Sequence, residues 1–441
     1  MIRRRRKAAS VLLPLLAAGL TGCALYSDVS IAPLSVLPTK IDRGADVQQM
    51  VRKADYLRAL ETAPVIEART RPHAPDLIAL GYAEMASGRY ALARQHLRAA
   101  LDLEPFRTSQ ADAAWNLAQV DYMTNNFATS LEWAERAIDH GLNVMTWHLD
   151  YLRAMKNVDA YQFAGAVRED LPMKIGRPDV PRIDVRLNQH PDSVTAIIDS
   201  GAVMSIISQR LANTLGVKPL PGAPGTFYGL LAEPISVRFA ILEVMHIGLI
   251  EVRNVPVAIM PDDKMRFFVS GNREYSMDLL LGAHLLKEFR LELDFSRNRL
   301  IVTRLTSLDR RPADNQNLFF ENFRPVVRAT VQKHGWYIFV LDTGSEITYL
   351  NEVQLRSLAI DYFTPRIHSA TLQGLGGARK HGAKIENVEI GVDKWAGTFK
   401  TLPMYTGNEN DRAVGIIGEN FLKEFKVIID FGRMRVDLER R

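Results

Sequence analysis

The chain contains one passage twice, and this repetition constrains its fold more than any other feature. The first copy reads Ala196-Ile197-Ile198-Asp199-Ser200-Gly201-Ala202 and is followed by a short amphipathic run over residues 208–215. The second reads Phe339-Val340-Leu341-Asp342-Thr343-Gly344-Ser345, with a matching run over residues 351–358. Further on, Leu280-Leu281-Gly282 leads into Leu285-Leu286-Lys287-Glu288-Phe289 and Leu293-Asp294-Phe295. Its counterpart is Ile416-Ile417-Gly418, Phe421-Leu422-Lys423-Glu424-Phe425 and Ile429-Asp430-Phe431. Gly282 lies 83 residues after Asp199 and Gly418 lies 76 after Asp342, so the pattern predicts two similar lobes that differ by a short loop.

A hydrophobic strand ending in Asp-Ser/Thr-Gly delivers a carboxylate at a tight loop. Glycine lets the backbone turn, and the hydroxyl can hydrogen-bond across to the other copy. Where two such loops meet about a pseudo-twofold axis, their carboxylates cannot both ionise easily; one proton is shared and the pair titrates as a unit. The ionised member can draw a proton from a water held between them, while the protonated member donates to a peptide carbonyl oxygen. That chemistry needs no cofactor, no metal and no covalent intermediate. The Leu-Leu-Gly and Ile-Ile-Gly segments are expected beneath the loops, with glycine letting crossing backbones approach.

A single Asp-Ser/Thr-Gly is a weak motif, but two copies with matched downstream segments are specific. From about residue 183 to 438 the chain resembles the pepsin and retropepsin superfamily of aspartic proteases, and most of all bacterial retropepsin-type members fused into one bilobal chain. The resemblance implies a mainly-β bilobal acid-protease fold with two pseudosymmetric retropepsin-like β-barrel lobes, over residues 181–308 and 318–441. It implies aspartic endopeptidase activity on a peptide or protein substrate, with Asp199 and Asp342 as the catalytic pair. Ser200 and Thr343 fall on the hydroxyls that brace the loops, Gly201 and Gly344 on the loop glycines, and Ser345 adds a further loop hydroxyl. Position four of the motif is Ala202 in one copy, as in retroviral-type enzymes, and Ser345 in the other, as in pepsin-type ones. The implied flaps fall on Thr226-Phe227-Tyr228-Gly229 and Leu372-Gln373-Gly374-Leu375-Gly376-Gly377, where Gly229, Gly374 and Gly376 would let a hairpin hinge. Tyr228 fits the flap tyrosine of pepsin-like enzymes and equally an ordinary turn aromatic.

The N-terminus reads as an export signal. Arg3 to Arg6 and Lys7 precede an apolar stretch, residues 8–20, that is too short for a stable membrane-spanning helix. It runs into Leu20-Thr21-Gly22-Cys23, which resembles the lipobox of bacterial lipoproteins. That resemblance implies removal of residues 1–22 and acylation of Cys23, and several acyl chains hold a protein firmly on a membrane. Cys23 is the only cysteine, so an intramolecular disulfide is excluded. Ala24 follows it, and in similar lipoproteins the absence of Asp there favours the outer membrane. The expected location is therefore the bacterial cell envelope, lipid-anchored and facing the periplasm. The five basic residues account for the formal charge of +5, so the rest of the chain carries no excess of positive charge to attract nucleic acid. Residues 23–44, with Pro33, Pro38 and no sustained period, read as a tether.

Residues 45–170 show helical periodicity. Leu80, Gly81, Gly88, Tyr90, Ala93, Leu97, Ala100 and Pro105 fall at the spacing of a tetratricopeptide repeat, which the segment resembles, and a looser copy follows with Leu117, Ala118, Phe127, Ser130, Ala134 and Ala137. The expected architecture is thus multidomain, an N-terminal all-α helical repeat before the β lobes, with flanking helices over 45–69 and 144–167. Such repeats offer a concave surface to a protein partner or act as a spacer, and the sequence fits both. Pro172, Gly176, Pro178 and Pro181 mark a boundary. Residues 374–377 lack the Lys-Ser/Thr pair of a phosphate loop, and the histidines show no metal-ligand spacing. The serious rival to a protease is a catalytically silent protease fold serving as a membrane-bound peptide adaptor, against which stands the cost of keeping two carboxylates together, and a structural lipoprotein that only tethers envelope proteins through its helical repeats is a weaker third reading.

Overall fold

Each copy of the motif folds into a closed β-barrel. In the first, strand Arg182–Leu187 pairs with both Val194–Asp199 and Pro234–Ile247, and the latter continues as a hairpin into Ile250–Met260. Ile250–Met260 runs parallel to Ser205–Ser208, which meets Leu279–Gly282, and Leu279–Gly282 runs parallel to Val194–Asp199 and closes the ring. The second barrel repeats this path. Arg324–Val331 pairs with His334–Leu341 and Lys384–Val392, Lys384–Val392 with Trp395–Tyr405, and Tyr349–Asn351 joins Trp395–Tyr405 to Gly415–Ile417, which lies parallel to His334–Leu341. Ile183, Val185 and Leu187 point inward while Asp184 and Arg186 face solvent, the period of a strand with one buried face. The computed structural model describes residues 29–34, 46–103, 107–144, 146–176, 178–228, 234–269, 273–357, 370–373, 379–407 and 411–440. The signal segment and Cys23 lie outside these residues.

A third sheet joins the lobes. Phe289–Asp294 of the first lobe lies antiparallel to Phe425–Asp430 of the second, with Glu292 opposite Ile428. Arg299–Arg304 and Arg168–Pro172 extend it on one side and Arg435–Arg440 on the other. Lys426 pairs with Glu292 across the seam at 2.9 Å. The lobes therefore share backbone hydrogen bonds, and their motif loops meet in a fixed register.

The helical segment begins with three short helices, Val47–Arg52, Tyr56–Glu61 and Ala63–Glu67, followed by two hairpins, Ala74–Ala86 with Tyr90–Leu103 and Arg107–Met123 with Phe127–Asp139. Small buried residues let them pack closely: Ala93, Ala118 and Ala134 are fully buried, and the Ser130 hydroxyl donates to Ala118 O at 2.7 Å. Among the described residues no helix is long and apolar enough to cross a membrane.

The helices dock on both lobes. On the second lobe, buried Glu321 accepts from Tyr56, from Tyr82 at 3.1 Å and from Arg412 at 2.7 Å, while Arg412 also donates to Val51 O at 2.7 Å. On the first, the His284 ring meets the Tyr161 hydroxyl at 2.9 Å and Tyr122 O at 3.2 Å, and Asn125 bonds both Lys287 and Glu288. Trp147 packs edge-on against Phe227, so the helices and the first barrel share one core.

Three sequence expectations are corrected here. Val29–Pro33, within the segment read as a tether, is a strand antiparallel to Trp395–Tyr405, with Val29 opposite Phe399 and Pro33 opposite Trp395. Val29 and Ile31 reach the core there, and proline is tolerated on an edge strand. The helix expected over 144–167 is Thr146–Met155 alone. After it, Gln162–Gly165 pairs with Ile250–Met260 and Arg168–Pro172 joins the interlobe sheet, so the β region starts before the boundary at 181.

Candidate active site

Asp199 is the last residue of Val194–Asp199 and Asp342 follows directly on His334–Leu341. The apolar-apolar-Gly strands flank them in the same sheets, with their glycines beneath the motif loops: Gly282 is in register with Asp199, and Asp342 N donates to Ile417 O at 3.0 Å. A methyl group at Gly282 would come within 2.3 Å of the Met204 carbonyl, and one at Gly418 within 2.4 Å of Ile347 O. Both positions need glycine because the motif loop folds back over them.

The loops are locked reciprocally. Ser200 N donates to Thr343 Oγ1 at 3.1 Å and Thr343 N donates to Ser200 Oγ at 3.1 Å. The Ser200 hydroxyl in turn donates to Leu341 O at 2.6 Å and the Thr343 hydroxyl to Ile198 O at 2.7 Å. Each hydroxyl thus accepts one bond and donates another, which satisfies buried groups at the seam. Ser345 differs: its hydroxyl donates to Ile347 O at 2.9 Å, within its own loop, so it does not brace the opposite loop.

The two carboxyls are 0% and 1% exposed, and each lies against the glycine of the opposite motif. Ala202 N donates to Asp199 Oδ1 and Gly344 N to Asp342 Oδ1, both at 3.0 Å. Burial, reinforced by the Asp199 charge, pushes the Asp342 carboxyl well above the ordinary carboxylate range, against the Gly344 N–H and the buried Arg324. The pair therefore holds one proton between its two members. The geometry provides an acid and a base at one point, the requirement for water-mediated acyl hydrolysis.

Of the flap candidates, Thr226 and Tyr228 lie in Gly225–Tyr228, a hairpin arm paired with Pro234–Ile247, with Tyr228 half-buried. Ala370–Gln373 pairs with Arg379–Gly382, Gln373 opposite Arg379. Gly229, Gly374 and Gly376 lie outside the described residues.

Several site residues were not singled out from sequence. Ser205 Oγ accepts from Gly282 N and Thr348 Oγ1 from Gly418 N, each at 3.1 Å. Both hydroxyls stand six residues after their aspartate, a signal that comparing the two copies could have found. Glu419 has no such signal, because Ala283 occupies its place in the other copy. It is buried, and its N–H donates to Ser345 O at 2.8 Å.

The sequence pattern described as "gag-polyprotein putative aspartyl protease" matches residues 183–288. Mouse "Protein DDI1 homolog 2" is 28% identical over 136 residues, 30% of this chain and 30% of that protein, and the human homolog 2 is 27% identical over 136 residues with the same shares. The chain thus spans about three-tenths of the length of the curated relatives it matches. A solved retropepsin-like aspartic protease from Rickettsia conorii is 17% identical, with a TM-score of 0.22, over 33% of this chain and 95% of its own. Fold and site together define a bilobal retropepsin-like aspartic protease fold. In this chain it carries a helical N-terminal segment docked on both lobes.

Proposed function

We propose that this chain is an aspartic endopeptidase in which Asp199 and Asp342 activate water against a peptide bond. The observation that carries the reading is the buried carboxyl pair, each member set against the opposite motif glycine, at the point where the Ser200 and Thr343 hydroxyls lock the two loops. Water oxygen bonds to the scissile carbonyl carbon as its proton passes to the ionised member of the pair, and the proton on the other member passes to the carbonyl oxygen. Collapse of the tetrahedral diol breaks the C–N bond, the leaving nitrogen takes one proton, and the pair returns to its singly protonated state.

The proposal extends to location and substrate. Acylation at Cys23 would hold the enzyme on the outer membrane facing the periplasm, with envelope or periplasmic proteins as substrates and the helical hairpins available to a protein partner. Val29, the first residue of the strand docked on the second lobe, is six residues from Cys23. A chain of that length spans at most about 20 Å. This favours substrates close to the membrane.

The test is cleavage of a peptide library by wild type, Asp199→Asn and Asp342→Asn, with circular dichroism to verify folding. Both variants should be inactive, and cleavage surviving both would remove the mechanism. Variants that still bind the wild-type partners and restore its role in the cell would make the chain a silent peptide-binding adaptor. Cys23→Ser should move the protein from the membrane to the soluble fraction.

A further inference from the structure

Glu419 is the first residue of the short helix Glu419–Leu422, directly after the Gly418 that packs under the second motif loop. Its side chain is 1% exposed and Oε1 has no hydrogen-bond partner among the described residues. Its backbone N–H holds Ser345 O, three residues beyond Asp342. The charged groups facing it are Asp342 from the motif loop, Lys423 one turn along its own helix, and Asp179, which pairs with Lys423 at 2.8 Å and whose N–H is held by Glu346.

We propose that Glu419 is a positioning acid that keeps the shared proton on the Asp199–Asp342 pair to higher pH. The inference rests on the proteolytic reading above and adds a third carboxyl to it. A carboxyl buried without a hydrogen-bond partner for one oxygen holds its proton in preference to ionising there. Burial first, then the charges of Asp179 and Asp342, push Glu419 well above the usual carboxylate range, against Lys423. As pH rises, the next proton can leave Glu419 or the pair. Loss from Glu419 leaves the pair singly protonated and competent, and the new charge opposes loss of the pair's proton. Both effects act in one direction: a carboxyl at 419 can only raise the alkaline limit of the pair.

Glu419→Gln keeps the shape and removes the titration. The alkaline limb of the kcat/KM profile should fall by about 0.5–1 pH unit, with the acid limb unmoved and the plateau within about twofold of wild type. Glu419→Asp should restore the limb. If Gln does not fold, Asn and Asp give the same comparison. A limb that does not move, or an equal loss at every pH, overturns the proposal and leaves Glu419 a packing residue.

A readout without turnover separates this from failure of the proteolytic reading. A carboxyl raised on folding contributes stability that is full below its unfolded value and lost as pH rises through its folded value. The Tm of Glu419→Gln should therefore gain on wild type as pH rises above about 4.5, the ordinary glutamate value. In the Asp342→Asn background that gain should start at the same pH, which the unfolded chain sets, but level off at lower pH and at a smaller value, because Asp342 no longer opposes ionisation of Glu419. A levelling-off point and size of gain unchanged by Asp342→Asn overturn the coupling whether or not the protein cleaves peptides.

Discussion

The Asp342 carboxyl lies against the backbone of Gly201, the glycine of the opposite motif, so closely that a methyl group at Gly201 would stand 2.3 Å from Asp342 Cγ. Asp199 lies the same way against Gly344, also at 2.3 Å. The glycines of the two motifs therefore make room for each other's aspartates, which is how both carboxyls come together at the seam.

Gly201→Ala should accordingly displace Asp342 rather than simply stiffen a loop. Overpacking a tight interior costs about 1–3 kcal/mol, and a shift of the reacting groups by about 1 Å can cost on the order of a hundredfold in rate. The expected result is a folded protein with kcat reduced at least that far, and Gly344→Ala should match it. Denaturant titration and a peptide-cleavage assay on both variants check this.

Ser200→Ala leaves Thr343 N and Leu341 O without their partners at a buried seam, and Thr343→Val does the same to Ser200 N and Ile198 O. Each should lose about 1–3 kcal/mol. Because the bonds form one closed network, the double variant should lose less than the two single losses together. Thr343→Ser should keep most of the stability. Urea unfolding of the four proteins measures the coupling, and full additivity would mean the hydroxyls act independently.

The duplicated motif made the lobes and the aspartates legible, because the pattern is local and each copy vouches for the other. What escaped the reading depends on distant pairing. Val29–Pro33 is five residues long, and its partner Phe399 lies far along the chain. Gln162–Gly165 and Arg168–Pro172 follow directly on a helical period and are too short to assert a period of their own. Glu419 escaped because its counterpart is Ala283, so a search for shared residues passes over it. Ser345 was legible as a residue, but the direction of its hydroxyl depends on the carbonyl of Ile347 two residues on.

His148 sets an acid limit on stability. Its ring is stacked on Phe323 with centroids 5.1 Å apart, lies between Trp115, Trp147 and Tyr122, and neither nitrogen has a hydrogen-bond partner among the described residues. Burial lowers its pKa from 6.5 to about 3. A histidine lowered on folding contributes stability that is present above its unfolded value and is lost as pH falls toward its folded one. The loss should be about 2 kcal/mol at pH 5 and about 3 at pH 4. His148→Phe should flatten this part of the profile, measured by denaturant titration between pH 4 and 8. An unchanged slope would place the acid sensitivity elsewhere.

The Glu321–Arg412 pair decides whether the helices stay on the second lobe. Glu321 is fully buried and accepts from Tyr56, and Arg412 is its cation while also holding Val51 O and the Tyr82 hydroxyl, so the pair together ties three helical residues to the lobe. Arg412→Leu strands a buried carboxylate and should cost about 3–5 kcal/mol. Glu321→Leu added to it removes the stranded charge and should recover a large part of that loss, since a buried ion pair adds little over well-packed apolar groups. Limited proteolysis across residues 46–103 should cut Arg412→Leu faster than wild type and the double variant at an intermediate rate. Equal cutting of all three would mean that the apolar contacts alone hold the helices in place.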